Sequence, residues 1–174
     1  MRKEPIENKR KIKQAYLKML GSGKTPNVRE ICRIADINKS TFYRHYSYLE
    51  ELEKEMYVEE AKEFYAYLIK DTDFNNIPDG FMARVFDYMK TLPKERKLFL
   101  DSNKTFAVDE VVNLSIEGVK TISDNVNNEM LVAVVVRGCM YLMLDNRYTD
   151  QEKIDITTKI TRSYHRAVKN NYFI

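Results

Sequence analysis

Apolar residues recur along this chain at helical spacing. Ile12, Tyr16, Met19 and Leu20 put one apolar face on a first helix, which also carries Lys9, Lys11, Lys13 and Lys18 and stops at Gly21-Ser22-Gly23. Asn27 with Glu30 forms a capping-box pattern that opens a short helix over 28–35. Asn38 caps a second short helix over 39–46, and Ser47 with Glu50 starts a long helix that runs to Ile69. The run 71–78 reads as a loop; Pro78 and Pro93 each suit the first position of a helix, giving 78–92 and 93–102. Further helices are expected over 105–123, 128–147 and 150–170. The β-branched stretch Leu131–Val136 continues through Cys139, Met140, Leu142 and Leu144, so its length favours a buried helix over a strand. Thr149 with Glu152 caps the last helix, whose stripe is Ile156, Ile160, Tyr164 and Val168. The expectation is an all-α protein of about nine helices, without internal repeats.

Composition agrees with a folded chain. Its 174 residues are 44% hydrophobic with a net charge of +3, too apolar and too weakly charged for disorder, and five Gly with four Pro argue against a turn-dense β protein. The charge is unevenly spread. Residues 1–48 hold twelve Lys/Arg against four Asp/Glu, a net +8, while the remainder nets −5. The N-terminus is charged and lacks the apolar core of a signal peptide, and Met130–Leu144 is interrupted by Arg137 and shorter than the ~20 residues of a membrane span. Cys32 and Cys139 sit in apolar patterns with no second ligand at metal spacing. A soluble cytoplasmic protein without a membrane segment is expected.

Residues 28–46, V-R-E-I-C-R-I-A-D-I-N-K-S-T-F-Y-R-H-Y, carry the functional signal. Two short helices joined by a three-residue turn, apolar at Ile31, Ile34, Ala35, Ile37 and Phe42, form a helix-turn-helix pattern, with small Ala35 where the helices cross. Lys39, Ser40 and Thr41 open the second helix, where such units reach base edges and phosphates. Phe42 supplies the inward contact, and adjacent helical positions point about 100° apart, so Tyr43 faces out.

These residues resemble the DNA-binding domain of the tetracycline-repressor (TetR) family of bacterial regulators. The likeness rests on T-F-Y-R-H-Y at Thr41–Tyr46 and S-Y-L-E-E-L at Ser47–Leu52, and extends over about residues 6–56. It implies a helix-turn-helix DNA-binding domain over 1–47 and a helical-bundle regulatory and dimerisation domain over 48–174. It further implies that Arg29 and Lys39 read bases, that Thr41, Tyr43 and His45 hold phosphates, and that Ser40 lies beside them. Two departures stand out: Asp36 replaces the usual turn glycine, and Leu49 stands where a phosphate-contacting Lys is common. By resemblance, a homodimer pairs its last two helices with those of a second copy and binds a palindromic operator on double-stranded DNA. Repression relieved by a small-molecule effector is the leading expectation; regulation through a protein partner is the alternative.

In the body, aromatic and methionine residues build a core and, on the family's pattern, line a ligand cavity, with Phe86, Met89, Phe106, Arg137 and Tyr141 as candidates. Arg137, a charge inside an apolar helix, needs an acidic partner or an anionic ligand group. Catalysis finds no footing. His45 and His165 lie far apart without a nucleophile motif, and no glycine-rich phosphate loop exists. The glutamate run from Glu50 to Glu63 spreads around its helix, so a solvated face with pairs such as Glu50–Lys54 is expected rather than a metal site. Neither enzyme activity nor a cofactor is expected.

Overall fold

The computed structural model describes residues 3–70, 80–120 and 125–169. Among these residues the protein is all-α, with nine helices: α1 (Lys3–Gly21), α2 (Val28–Ala35), α3 (Lys39–His45), α4 (Leu49–Ile69), α5 (Phe81–Thr91), α6 (Lys94–Ser102), α7 (Lys104–Lys120), α8 (Val126–Met143) and α9 (Asp150–Lys169). The expected loop at 71–78, the Pro78 helix start and the end of the seventh helix at Ser123 lie outside the described residues.

The chain divides into two compact units, residues 1–59 with 92–104 and residues 60–91 with 105–174. The sequence boundary at residue 47 is therefore displaced. The first half of α4 and all of α6 belong to the N-terminal unit, because the aromatic core requires them there. Phe99 of α6 is fully buried, stacks on Tyr57 of α4 at 4.1 Å and meets Tyr16 of α1 edge-on at 5.7 Å. The Tyr57 hydroxyl donates to the Phe99 carbonyl at 2.9 Å. Gly21 closes the α1–α6 contact: a Cβ there would sit 2.5 Å from Glu95 Cγ.

Helix ends follow local chemistry. α1 closes in a Schellman turn, with Lys24 N–H donating to the Met19 carbonyl, Gly23 N–H to the Leu20 carbonyl, and Gly23 left-handed at φ 73°. Thr149 and Glu152 form the expected reciprocal box, Thr149 N–H donating to Glu152 Oε2 at 2.8 Å and Glu152 N–H to Thr149 Oγ1 at 3.3 Å. The expected Ser47–Glu50 box is replaced. α4 starts at Leu49, and Ser47 N–H donates to Glu51 Oε2 at 2.7 Å, because the later start shifts the reachable carboxylate by one residue. Pro93 caps α6 from outside rather than opening it, its ψ of 149° being extended.

In the second unit, Ala61, Phe64, Met82, Val85, Phe86, Val111 and Cys139 form the main core, and Val119, Val132 and Tyr164 a smaller one. The stripe of α9 differs from the expected one. Lys153, Thr157, Thr161 and Tyr164 are buried while Ile156 is exposed. The inner polar groups are satisfied locally: Thr157 Oγ1 donates to the Lys153 carbonyl at 2.6 Å, Thr161 Oγ1 to the Thr157 carbonyl at 2.7 Å, and Lys153 Nζ to the Met143 carbonyl ending α8 at 3.3 Å. Tyr164 and Ile160 of the expected stripe do face the core, so hydrophobic period alone errs at Ile156 and misses the polar Lys153, Thr157 and Thr161; the Val168 side chain lies outside the described residues. α8 leaves Val126, Met130, Val134 and Tyr141 exposed at helical spacing along one side. By length and composition α8 is also long and apolar enough to cross a membrane.

Candidate nucleic-acid interface

The pair α2–α3 is built as its sequence dictates. Asn27 Oδ1 accepts from Glu30 N–H at 3.0 Å, capping α2. Only one limb of that capping box forms, since the Glu30 carboxylate pairs with Arg33 at 2.9 Å. α2 ends at Asp36, whose φ of 54° and ψ of 52° are left-handed, and Ile37 N–H returns to the Cys32 carbonyl at 3.0 Å. Asp36 thus performs the turn usually given to glycine. The turn tucks buried Ile31, Cys32 and Ala35 of α2 toward Phe42 of α3, which is completely buried.

Asn38 organises the start of α3. Its Oδ1 accepts from Thr41 N–H at 2.7 Å, Ser40 Oγ at 2.6 Å and Thr41 Oγ1 at 2.9 Å. Burying Phe42 turns the remaining α3 side chains outward. Lys39 and Ser40 are exposed, Tyr43 is 52% exposed with its ring edge-on to Phe42 at 5.5 Å, and Thr41 is half-buried. Arg29 on α2 is exposed as well. Neither Arg29 nor Lys39 forms an ion pair among the described residues, so both guanidinium and ammonium face solvent uncompensated. The interface candidates Arg29, Lys39, Ser40 and Tyr43 are therefore accessible.

His45 is placed differently. Its ring is half-buried beside Tyr46, and Nε2 is shielded from solvent without a hydrogen-bond partner. Burial, then the charges of Arg44 and Lys9, push its pKa below the ordinary value, with Glu55 opposing. A neutral ring with an enclosed Nε2 offers that nitrogen to nothing outside in this conformation. Arg44 is the residue that sequence reasoning passed over: exposed, it donates from Nη2 to Thr41 Oγ1 at 3.4 Å, and its place three residues after Thr41 was the available signal. Leu49 is half-buried as the first residue of α4, and neighbouring Tyr48 is 56% exposed.

The acidic run of α4 braces this unit instead of lying free in solvent. Glu55 accepts from Lys9 at 2.6 Å, from Lys13 at 2.6 Å and from the buried Tyr46 hydroxyl at 3.2 Å. Lys13 also reaches Glu59, and Tyr16 donates to Glu53 at 2.8 Å. Partial burial pushes the Glu55 carboxyl up, but the Lys13 and Lys9 hydrogen bonds and charges outweigh it and hold the group below the ordinary carboxylate range. Lys13 is pushed down by burial and raised further by Glu55 and Glu59, for a net upward shift. The lysine–glutamate pairs join residues more than forty positions apart, out of reach of i,i+4 reasoning. Glu50 and Lys54, the expected pair, are both simply exposed.

The second unit contains a cavity of about 100 Å³, lined by side chains of α4, α5, α7, α8 and α9, among them Phe64, Met82, Val111, Cys139, Met140 and Tyr164. None of the five ligand candidates lines it. Phe86 is buried in the main core and Met89 packs against that core. Phe106 is half-buried, while Tyr141 is exposed and donates to Thr105 Oγ1 at 3.4 Å. Arg137 sits on the outer side of α8 and pairs with Asp109 at 2.7 Å, both side chains nearly half exposed. A charge in an apolar helix is tolerated there because that side faces solvent and carries its own counter-ion. Among the described residues no cluster of His, Cys, Asp and Glu is arranged to hold a metal.

Compared with known proteins, the chain matches no protein-family profile and no curated sequence.

Proposed function

We propose that this protein is a dimeric, sequence-specific DNA-binding transcriptional regulator of the TetR type. In this reading α2 and α3 act as a helix-turn-helix. The observation that carries the proposal is the division of α3: Phe42 is buried while Lys39, Ser40, Tyr43 and Arg44, like Arg29 of α2, are exposed to solvent. Lys39 and Arg29 would then read base edges in the major groove, with Tyr43 donating to a phosphate and Ser40 and Thr41 doing so by turning their hydroxyls from Asn38 to phosphate. His45 acts by packing, since its Nε2 is enclosed. The exposed stripe Val126, Met130, Val134 and Tyr141 supports pairing through α8 and α9 with a second copy, which would present two reading heads to a palindromic operator. α4 belongs to both units and is the natural transmitter of an effector signal. That same stripe supports the second reading, regulation through a different protein seated on α8, which would leave the purified protein monomeric.

The test is selection of bound fragments from random DNA, followed by anisotropy titrations on the selected and a scrambled site at several salt concentrations. Affinity should fall steeply with salt. Lys39→Ala should lose about 1–3 kcal/mol on the selected site and little on the scrambled one. Tyr43→Ala should weaken both about equally. Identical behaviour of the two variants, or salt-insensitive binding, refutes the assignment.

A further inference from the structure

We infer that His45 is a proton-operated latch on DNA binding: neutral, its ring stays closed in the N-terminal unit; protonated, it turns out beside Thr41 and adds a cation to the reading face. The DNA half of this inference rests on the proposed function; the ring movement does not.

One atom sets the condition. Among the described residues, His45 Nε2 is closed off from solvent and has no hydrogen-bond partner. A neutral imidazole tolerates this, because the tautomer with its proton on Nδ1 leaves only a lone pair at Nε2. An imidazolium does not: it places an N–H in the enclosed position with no acceptor to receive it. The surrounding charges add to the cost. Arg44 of the same helix and Lys9 of α1 oppose a cation there, and Glu55 of α4 favours one. Glu55 is already shared among Lys9, Lys13 and the Tyr46 hydroxyl, and Lys9 lies over the Tyr46 ring, 5.0 Å from its centroid. Burial, then the two cations, hold the His45 ring below the ordinary histidine pKa.

Helix geometry supplies the exit. His45 follows Thr41 by four residues, so the two share a side of α3, and only about 60° separates it from buried Phe42. It therefore stands on the rim of the buried face. One rotamer lies inward near Tyr46, ring centres 6.4 Å apart; another lies beside Thr41, whose hydroxyl is among the proposed phosphate donors. Protonation thus exchanges an orphaned N–H for one that a phosphate can accept, and by linkage DNA binding takes up the proton.

Proton NMR of the full chain without DNA reads the ring directly, with His45→Gln assigning the two histidines. Nuclear Overhauser contacts between the His45 and Tyr46 rings should be present at pH 7.5 and lost at pH 5, and the ring should titrate below the ordinary histidine value. Contacts that persist in the protonated ring, or titration at or above the ordinary value, would overturn the latch. Anisotropy titrations on the selected site at fixed ionic strength read the consequence. Affinity should rise at least about tenfold from pH 7.5 to pH 5.5, and calorimetry in two buffers of different ionisation enthalpy should show proton uptake on binding. His45→Gln should hold the change to within about twofold, and His45→Asn serves if that variant does not fold. His165→Gln should keep the parent's pH dependence. An affinity that does not rise in acid, or that rises equally in the His45 variants, overturns the coupling and leaves the proposed function standing. A ring that moves as expected in a protein that binds no DNA at any pH removes the proposed function and the DNA half together, and leaves the ring movement standing.

Discussion

Glu55 offers the sharpest quantitative test of how the N-terminal unit is held. Its carboxylate meets Lys9, Lys13 and the Tyr46 hydroxyl, and Tyr46 is 1% exposed. Glu55→Gln keeps an acceptor for Tyr46 and removes only the charge. Two part-exposed ion pairs, at the upper end of the range for such contacts, put the loss at about 1–2 kcal/mol, with Glu59 still available to Lys13. Glu55→Ala also orphans the buried phenol, adding about 1–3 kcal/mol for a total of about 2–4 kcal/mol. Glu50→Gln, on an exposed side chain, should stay within about 0.5 kcal/mol of the parent. The pH dependence has a definite sign. Glu55 is held below its unfolded value, so its contribution is fully present above the unfolded pKa and disappears as pH falls through the lowered folded one. Urea melts at pH 7 and in steps below pH 4 should show the gap between parent and Glu55→Gln narrowing toward zero. A variant as stable as the parent at neutral pH, or a gap that persists in acid, refutes the bracing role.

Three further outcomes follow from the same geometry. Phe42→Ala empties a fully buried site and should cost about 3–5 kcal/mol in urea melts, whereas exposed Tyr43→Ala should cost under about 1 kcal/mol; equal losses would contradict the inside–outside division of α3. On the proposed pairing through α8, the parent should sediment as a dimer and the double variant Met130→Glu/Val134→Glu as a monomer, and a parent that is itself monomeric shifts support to the protein-partner reading. Cys139, buried and with its pKa pushed up to about 11, should resist iodoacetamide in the native protein at pH 8 and react once unfolded; rapid native labelling would contradict its place in the cavity wall.

Helix existence and order were legible because each rests on local signals. Asn27, Asn38 and Thr149 cap where their spacing says they should, and Phe42 and Tyr43 divide as the 100° step requires. The losses occur where long-range contacts decide. Nothing local says that α6 packs on α1, that Glu53, Glu55 and Glu59 reach back to α1, or that Thr157 and Thr161 hide their hydroxyls on their own helix and so take the inner side of α9. For the same reason the five ligand candidates fall outside the lining of the pocket in the second unit. Residue type identifies what suits a cavity wall, but the cavity's position depends on how α4, α5, α7, α8 and α9 meet.

The anchoring of Lys9 and Lys13 by Glu55 and Glu59 has a consequence for how the protein would respond to electrolyte. Of the twelve cations in residues 1–48, these two are held by carboxylates of α4, while Arg10 and Arg33 pair with Glu7 and Glu30 within their own helices. In a DNA complex of the proposed kind, Lys9 and Lys13 would therefore displace no counterions. On the proposed reading, the log–log salt slope should be shallower by about 2 per protomer than the raw charge count implies. Glu55→Gln frees Lys9 and partly frees Lys13. The same substitution that loosens the fold should thus steepen the slope and tighten binding to any DNA at low ionic strength.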